Sequence, residues 1–170
     1  MKKVILTVFV VGLFVAAVAA PPAWSQDKKV DFSLNAGVQT NIFSGTSFDK
    51  ALFTADARVG LRLGRNFEIS PEVMAVFSYL KMFGGTGGTL LYPGAMLNFR
   101  SGSFFFGAGA VLPWAFFEGE SDTGHISPKV NIGYTFANHV QITAYYLTWT
   151  GDGIDLLDAG FAGLTLGYRF

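Results

Sequence analysis

His125-Ile126-Ser127 sets an imidazole and a hydroxyl two residues apart, which is one face of an extended segment. A His beside a Ser can activate an oxygen nucleophile for acyl transfer when a carboxylate orients the ring. Glu118 and Glu120 are the carboxylates that the preceding stretch offers for that job. The competing reading is a histidine at a loop edge, and the sequence favours it, so His125 and Ser127 stand only as candidates. His139 sits in the short stretch Ala137-Asn138-His139, with nothing built around it. Asp152-Gly-Ile-Asp-Leu-Leu-Asp158 supplies carboxylates for a hard cation but not the spacing of a Ca²⁺ loop, so no metal site is assigned. Gly84-Gly-Thr-Gly-Gly88 opens no helix and reads as a flexible tip, not a phosphate cradle. No cofactor is implied.

The elements that carry these residues show strict alternation of apolar and polar side chains, the period of a strand with two different faces. Eight such segments span residues 30–43, 52–63, 67–80, 89–99, 104–117, 126–136, 140–149 and 160–170. Charge tests the register. Asp31, Asp56, Arg58, Arg62, Glu68, Glu72, Lys129 and Arg169 all fall on the polar parity of their segments. If the apolar parity faces hydrocarbon, one basic residue on the wrong face would cost about 2–4 kcal/mol. The eight charges also balance, and unpaired charge inside a narrow tube would be costly. Arg62, Glu68, Glu72, Lys129 and Arg169, with Arg58 above them, are therefore expected to form an ion-pair plug. The connections alternate too. Residues 64–66, 100–103 and 137–139 are tight turns, whereas 44–51, 81–88, 118–125 and 150–155 are longer loops.

Lys2-Lys3, the apolar run Val4 to Ala20 and the small-x-small site Ala23-Trp24-Ser25 form a secretory leader over 1–25, which leaves 26–170 as one domain. Losing Lys2 and Lys3 leaves ten basic and twelve acidic residues, a net charge of −2, with no basic footprint for nucleic acid. The chain closes on Leu164, Leu166, Tyr168 and Phe170 at every second position, with Arg169 opposite. That strand resembles the closing strand of bacterial outer-membrane β-barrels, and the mature chain resembles the OmpA/OmpX-like small barrels along its length. The resemblance implies an all-β, eight-stranded antiparallel up-and-down transmembrane β-barrel in the outer membrane of a Gram-negative bacterium. It also implies that Leu164, Leu166, Tyr168 and Phe170 are read by the β-barrel assembly machinery after periplasmic chaperones deliver the chain. Short turns on one side and long loops on the other put both termini in the periplasm. Outer-membrane lipids and lipopolysaccharide are the expected surroundings. The rival fold is a soluble up-and-down barrel with its apolar face inward.

Eight strands enclose little more than their own side chains, so an open pore is not expected. Inward positions of the far half are apolar: Met74, Val76, Tyr92, Met96, Val111, Tyr145, Trp149 and Phe161, with Gly94, Gly107, Gly109 and Gly163 leaving room beside them. These residues either pack solidly or line a pocket for an acyl chain. Pro93, Pro113 and Pro128 fall in consecutive segments, and each lacks the N–H that a ladder needs. This looks like the lipid A palmitoyltransferase barrels, which would imply a lateral path. His125-Ile126-Ser127 is similar to the His-x-Ser of lipid A deacylase barrels. The Glu of that pattern is missing, since Ala137, Asn138 and His139 stand in its region. The expected role is non-enzymatic, structural or surface-interacting. Apolar ligand binding and, behind it, lipid A acyl chemistry are the alternatives.

Overall fold

The computed structural model describes residues 30–41, 51–77, 88–117, 120–137, 139–148 and 160–170; residues 1–25, expected to be a leader, and Trp149 lie outside them. The described residues form β1 (Val30–Asn41), β2 (Leu52–Arg62), β3 (Phe67–Phe77), β4 (Thr89–Ser101), β5 (Phe104–Val111), β6 (Trp114–Phe117), β7 (Glu120–Thr123), β8 (Ser127–Phe136), β9 (Val140–Thr148) and β10 (Gly160–Arg169). All ladders are antiparallel. β6 prolongs β5 along β4, and β7 prolongs β8, so the ten strands make eight staves. The β1–β10 ladder closes the ring, from Ser33 opposite Arg169 to Asn41 opposite Phe161. The Phe170 N–H adds a bond to the Phe32 carbonyl at 2.8 Å, so the last residue is tied to the first strand.

Because the side-chain period is two, closure sends one parity into the lumen and the other onto the wall. Asp31, Asp56, Arg58, Glu68, Glu72, Lys129 and Arg169 are buried inside, with Asn35, Asn98, Asn131 and Gln141 among them. Twenty-two large apolar side chains of the described residues are exposed outside, Leu97, Phe106, Ile132, Leu164 and Leu166 more than half. No water-soluble barrel presents that surface, since exposed apolar patches on soluble monomers stop at a few hundred Å². The inward-apolar alternative is thereby excluded. At the end that carries the termini, aromatic rings form a belt. Phe67–Phe99, Phe99–Phe106, Phe104–Tyr134, Tyr134–Phe136 and Tyr168–Phe170 have centroids 4.6 to 5.5 Å apart. Such pairs gain about 0.5–1.5 kcal/mol beyond their burial.

The structure departs from the sequence reading in four places. The segment 104–117 is broken at Leu112-Pro113. Pro93 accepts a bond from the Leu112 N–H at 2.8 Å but has none to return, so the ladder is one-sided there. Residues 118–125 are not all loop, because Glu120–Thr123 pair with β6. Val111 pairs with Ser127 and Trp114 with Thr123, so two residues face three: Gly124, His125 and Ile126 form a β-bulge. Arg100, read as a turn residue, belongs to β4. His139 is also engaged: its ring stacks on Tyr168 at 5.3 Å and its Nδ1 lies 3.1 Å from the Arg169 carbonyl.

Candidate functional site

The lumen holds the molecule's chemistry in layers. Across its middle, Arg58 of β2 has its Nε 2.8 Å from Asp56 and 3.1 Å from Glu72, and Glu72 also takes the ammonium of Lys129 from β8. Gln141 Nε2 donates to Asn35 Oδ1 at 2.6 Å, and Asn35 Nδ2 donates to Asp56 at 2.6 Å. One polar chain thus crosses from β9 through β1, β2 and β3 to β8. Its two cations meet two carboxylates, so the layer is neutral.

A second layer lies toward the termini. Glu68 accepts two bonds from the Arg100 guanidinium, at 2.7 and 3.1 Å, and one from Ser70 Oγ at 2.8 Å. Arg169 Nη2 is 3.3 Å from Glu68 and pairs with Asp31. Arg62, expected within the plug, sits at its rim: its side chain is 41% exposed and 3.6 Å from Asp31. The strand end lets it reach water, and Arg100 takes the place inside. Between the layers a polar cavity of about 10 Å³, bordered by Ser33, Arg58, Ser70, Asn98 and Gln141, has room for about one water.

Above the middle layer the lining turns apolar. Met74, Val76, Tyr92, Val111, Tyr145 and Leu147 form one buried cluster, with Phe161 packed against it; Met96 is buried outside that cluster. The Lys129 ammonium lies 4.9 Å from the centre of the Tyr145 ring, joining charge to cap, and the Tyr145 hydroxyl donates to Gln39 at 2.9 Å. The lumen glycines leave no space. A Cβ on Gly163 would stand 2.2 Å from the Tyr145 ring, and one on Gly133 would stand 2.3 Å from Phe105. At Gly94 and Gly109 the room is taken by Val111 and by Met96 with the Ala95 carbonyl, and at Gly107 by Asn98.

His125 and Ser127 are separated by the bulge. Ser127 is buried, and its hydroxyl donates to the His125 carbonyl at 3.2 Å, whereas the His125 side chain is exposed. The extra residue puts the two side chains in different surroundings, so the face expected from their i, i+2 spacing is not formed. Leu164, Leu166, Tyr168 and Phe170 are exposed in one row on the wall. Among the described residues no group of three His, Cys, Asp or Glu side chains is placed to hold a metal ion. Arg100 is the lumen residue the sequence reading missed. Its parity with Asn98 was the available signal, hidden because the strand runs two residues past Phe99.

The chain matches no protein-family model and no curated protein. Solved structures do match. Neisserial surface protein A is 18% identical, over 84% of this chain and 96% of its own, with a TM-score of 0.60. Ail of Yersinia pestis, in a phospholipid bilayer nanodisc, is 13% identical over 82% and 99%, with a TM-score of 0.54. The N-terminal β-barrel domain of Pseudomonas aeruginosa OprF is 15% identical over 82% and 97%, with a TM-score of 0.51. Closed by its first and last strands, charged within and apolar without, the chain has the fold of the small eight-stranded outer-membrane β-barrels.

Proposed function

We propose that the chain is a non-enzymatic outer-membrane protein of a Gram-negative bacterium, a closed barrel with a structural and surface-interaction role and no open pore. The observation that carries this reading is the two-layered filling of the lumen: a neutral ion-pair network at mid-height and an apolar cluster above it. Arg58, Arg62, Glu68, Glu72, Lys129 and Arg169, joined by Arg100, act in it as a plug. After loss of residues 1–25 the barrel is inserted with both termini in the periplasm. The assembly machinery reads Leu164, Leu166, Tyr168 and Phe170, and the wall then rests among outer-membrane lipids and lipopolysaccharide. The similarity to Neisserial surface protein A, a surface protein by name, is consistent with this role. An acyl pocket in the far half finds less support, since Met74, Val76, Tyr92, Val111, Tyr145 and Leu147 pack on one another there. Acyl chemistry at His125 and Ser127 finds less as well, since the serine hydroxyl is turned to a backbone carbonyl.

The test pairs two measurements. Purified barrel in planar bilayers is expected to give no steady conductance, and deletion of the gene is expected to weaken the envelope without changing lipid A masses. Channel currents, or the loss or gain of an acyl group on lipid A, would defeat the proposal.

A further inference from the structure

Three inward rows cross the seam where the last strand meets the first. In one, Gln141 of β9, Gly167 of β10 and Asn35 of β1 stand side by side; in another, Tyr145, Gly163 and Gln39 do. Gln141 reaches over Gly167 to Asn35 at 2.6 Å, and the Tyr145 hydroxyl reaches over Gly163 to Gln39 at 2.9 Å. The row between them, Thr143, Thr165 and Gly37, has its glycine on β1 instead. Close approach demands each of these glycines. A Cβ on Gly167 would strike the Asn35 amide, one on Gly163 the Tyr145 hydroxyl and ring, and one on Gly37 the backbone of Leu164 and Thr165. Glycine thus alternates between the two closing strands, and β9 is strapped to β1 across the strand that separates them. Asn35, Gln39, Gln141 and Tyr145 are all buried.

We infer that this alternation of glycines selects the register at which the barrel closes. The alternation of apolar and polar side chains forbids a slip of one residue but not of two, since an even slip keeps every side chain on its own face. The wall does not tell these registers apart. Ala36 and Val38 face Leu166 and Leu164; after a slip of two they would face Leu164 and Ala162, or Tyr168 and Leu166, apolar in each case. Nor does the ion pair between Arg169 and Asp31 decide, because one of the two slips sets those residues directly opposite. The lumen rows do decide. Either slip sets Gly37 opposite Gly163 or Gly167 and moves Thr165 opposite Asn35 or Gln39. In the first case Tyr145 faces Gly37 with nothing to bond, and in the second Gln141 does. A buried polar group left without its partner is costly, so one register alone satisfies both straps.

Disulfide formation across the seam reads the register, because the chain has no cysteine of its own. Ala36→Cys with Leu166→Cys reports the register described here. Ala36→Cys with Leu164→Cys, or with Tyr168→Cys, reports the two slips, since diagonal neighbours stand about 7–8 Å apart, beyond disulfide reach. The mature barrel is refolded into phosphatidylcholine vesicles, oxidised with copper phenanthroline and scored by the mobility of the unfolded, unreduced chain. The unstrapped variant, Gln141→Ala with Tyr145→Ala, is expected to raise a slipped disulfide at least about tenfold over the parent, the factor that two lost buried hydrogen bonds supply. Met96→Ala, a buried change on β4 away from the seam, is expected to leave it at the parent's level. If the unstrapped variant does not insert, Tyr145→Phe keeps the ring on Gly163 and removes one bond, with a rise of about fivefold expected. A slipped disulfide already abundant in the parent, none in the variant that is read, or an equal rise in Met96→Ala would overturn the inference.

Discussion

Lys129 is the residue on which the middle layer turns. Its ammonium is fully buried, shares Glu72 with Arg58 and faces the Tyr145 ring. A buried pair gains little over an apolar substitute, but breaking one side leaves a charge with no partner, at about 3–5 kcal/mol. Glu72→Gln is therefore expected to destabilise the barrel by about that amount, and Lys129→Met by a similar one, in urea unfolding from lipid vesicles. The double variant keeps Arg58 with Asp56 and restores neutrality. Its loss is expected to be well below the sum of the singles, and additive losses would show that the two groups do not act as a unit. Gly163 obeys a different logic. Tyr145 occupies the place of its missing Cβ, so Gly163→Val must displace the ring and its bond to Gln39, at about 1–3 kcal/mol in the same assay. Neither residue's partner was visible in the sequence. Parity told that Lys129 and Tyr145 face inward, but which charge meets which depends on stagger between strands, and a period of two carries no stagger.

Strands, by contrast, were legible almost to their ends, because the penalty for a charge on the lipid face keeps the alternation clean. What alternation hides is a single inserted residue. Ser127 and Thr123 are both odd, yet Ser127 pairs with inward Val111 and Thr123 with outward Trp114, and only the bulge at 124–126 reconciles them. The His-x-Ser spacing looked like one face for the same reason: it straddles the place where parity resets. Deleting Gly124 should remove the extra residue and leave Thr123 on the outward face, opposite Trp114 in an unbroken ladder. The chain has no cysteine, so Thr123→Cys reports the change cleanly. The thiol is expected to react readily with maleimide in both the parent and the deletion variant; slow reaction in the deletion variant would mean that the ladder keeps a bulge there and that position 123 has turned inward. A matching test of the wall places Leu166→Arg on the lipid face of β10, where the expected cost is about 2–4 kcal/mol. Thr165→Ser, one residue away and inward, should cost far less.

On the proposed reading, the barrel is two seals in series within one tube. The charged layer occupies the mid-lumen with balanced side chains and would exclude ions, and the apolar cluster of Met74, Tyr92, Val111, Tyr145 and Leu147 occupies the section above and would exclude water. Seals in series fail together or not at all as far as flux is concerned. Stability responds to either layer alone; conductance does not. Replacing Arg58, Glu72 and Lys129 by Ala should weaken the fold yet leave the tube closed, because the cluster above still admits no water. Replacing Met74, Tyr92 and Leu147 by Ala should likewise leave it closed, since the ion network still spans the section below. Only the combined variant is expected to leak small ions, measured as discharge of a proton gradient from vesicles that hold each protein at equal density. Leakage by the charge variant alone would mean that the apolar cluster is loose enough to pass water. A tight combined variant would mean that the barrel collapses inward when emptied, so that closure belongs to the strands and not to their side chains.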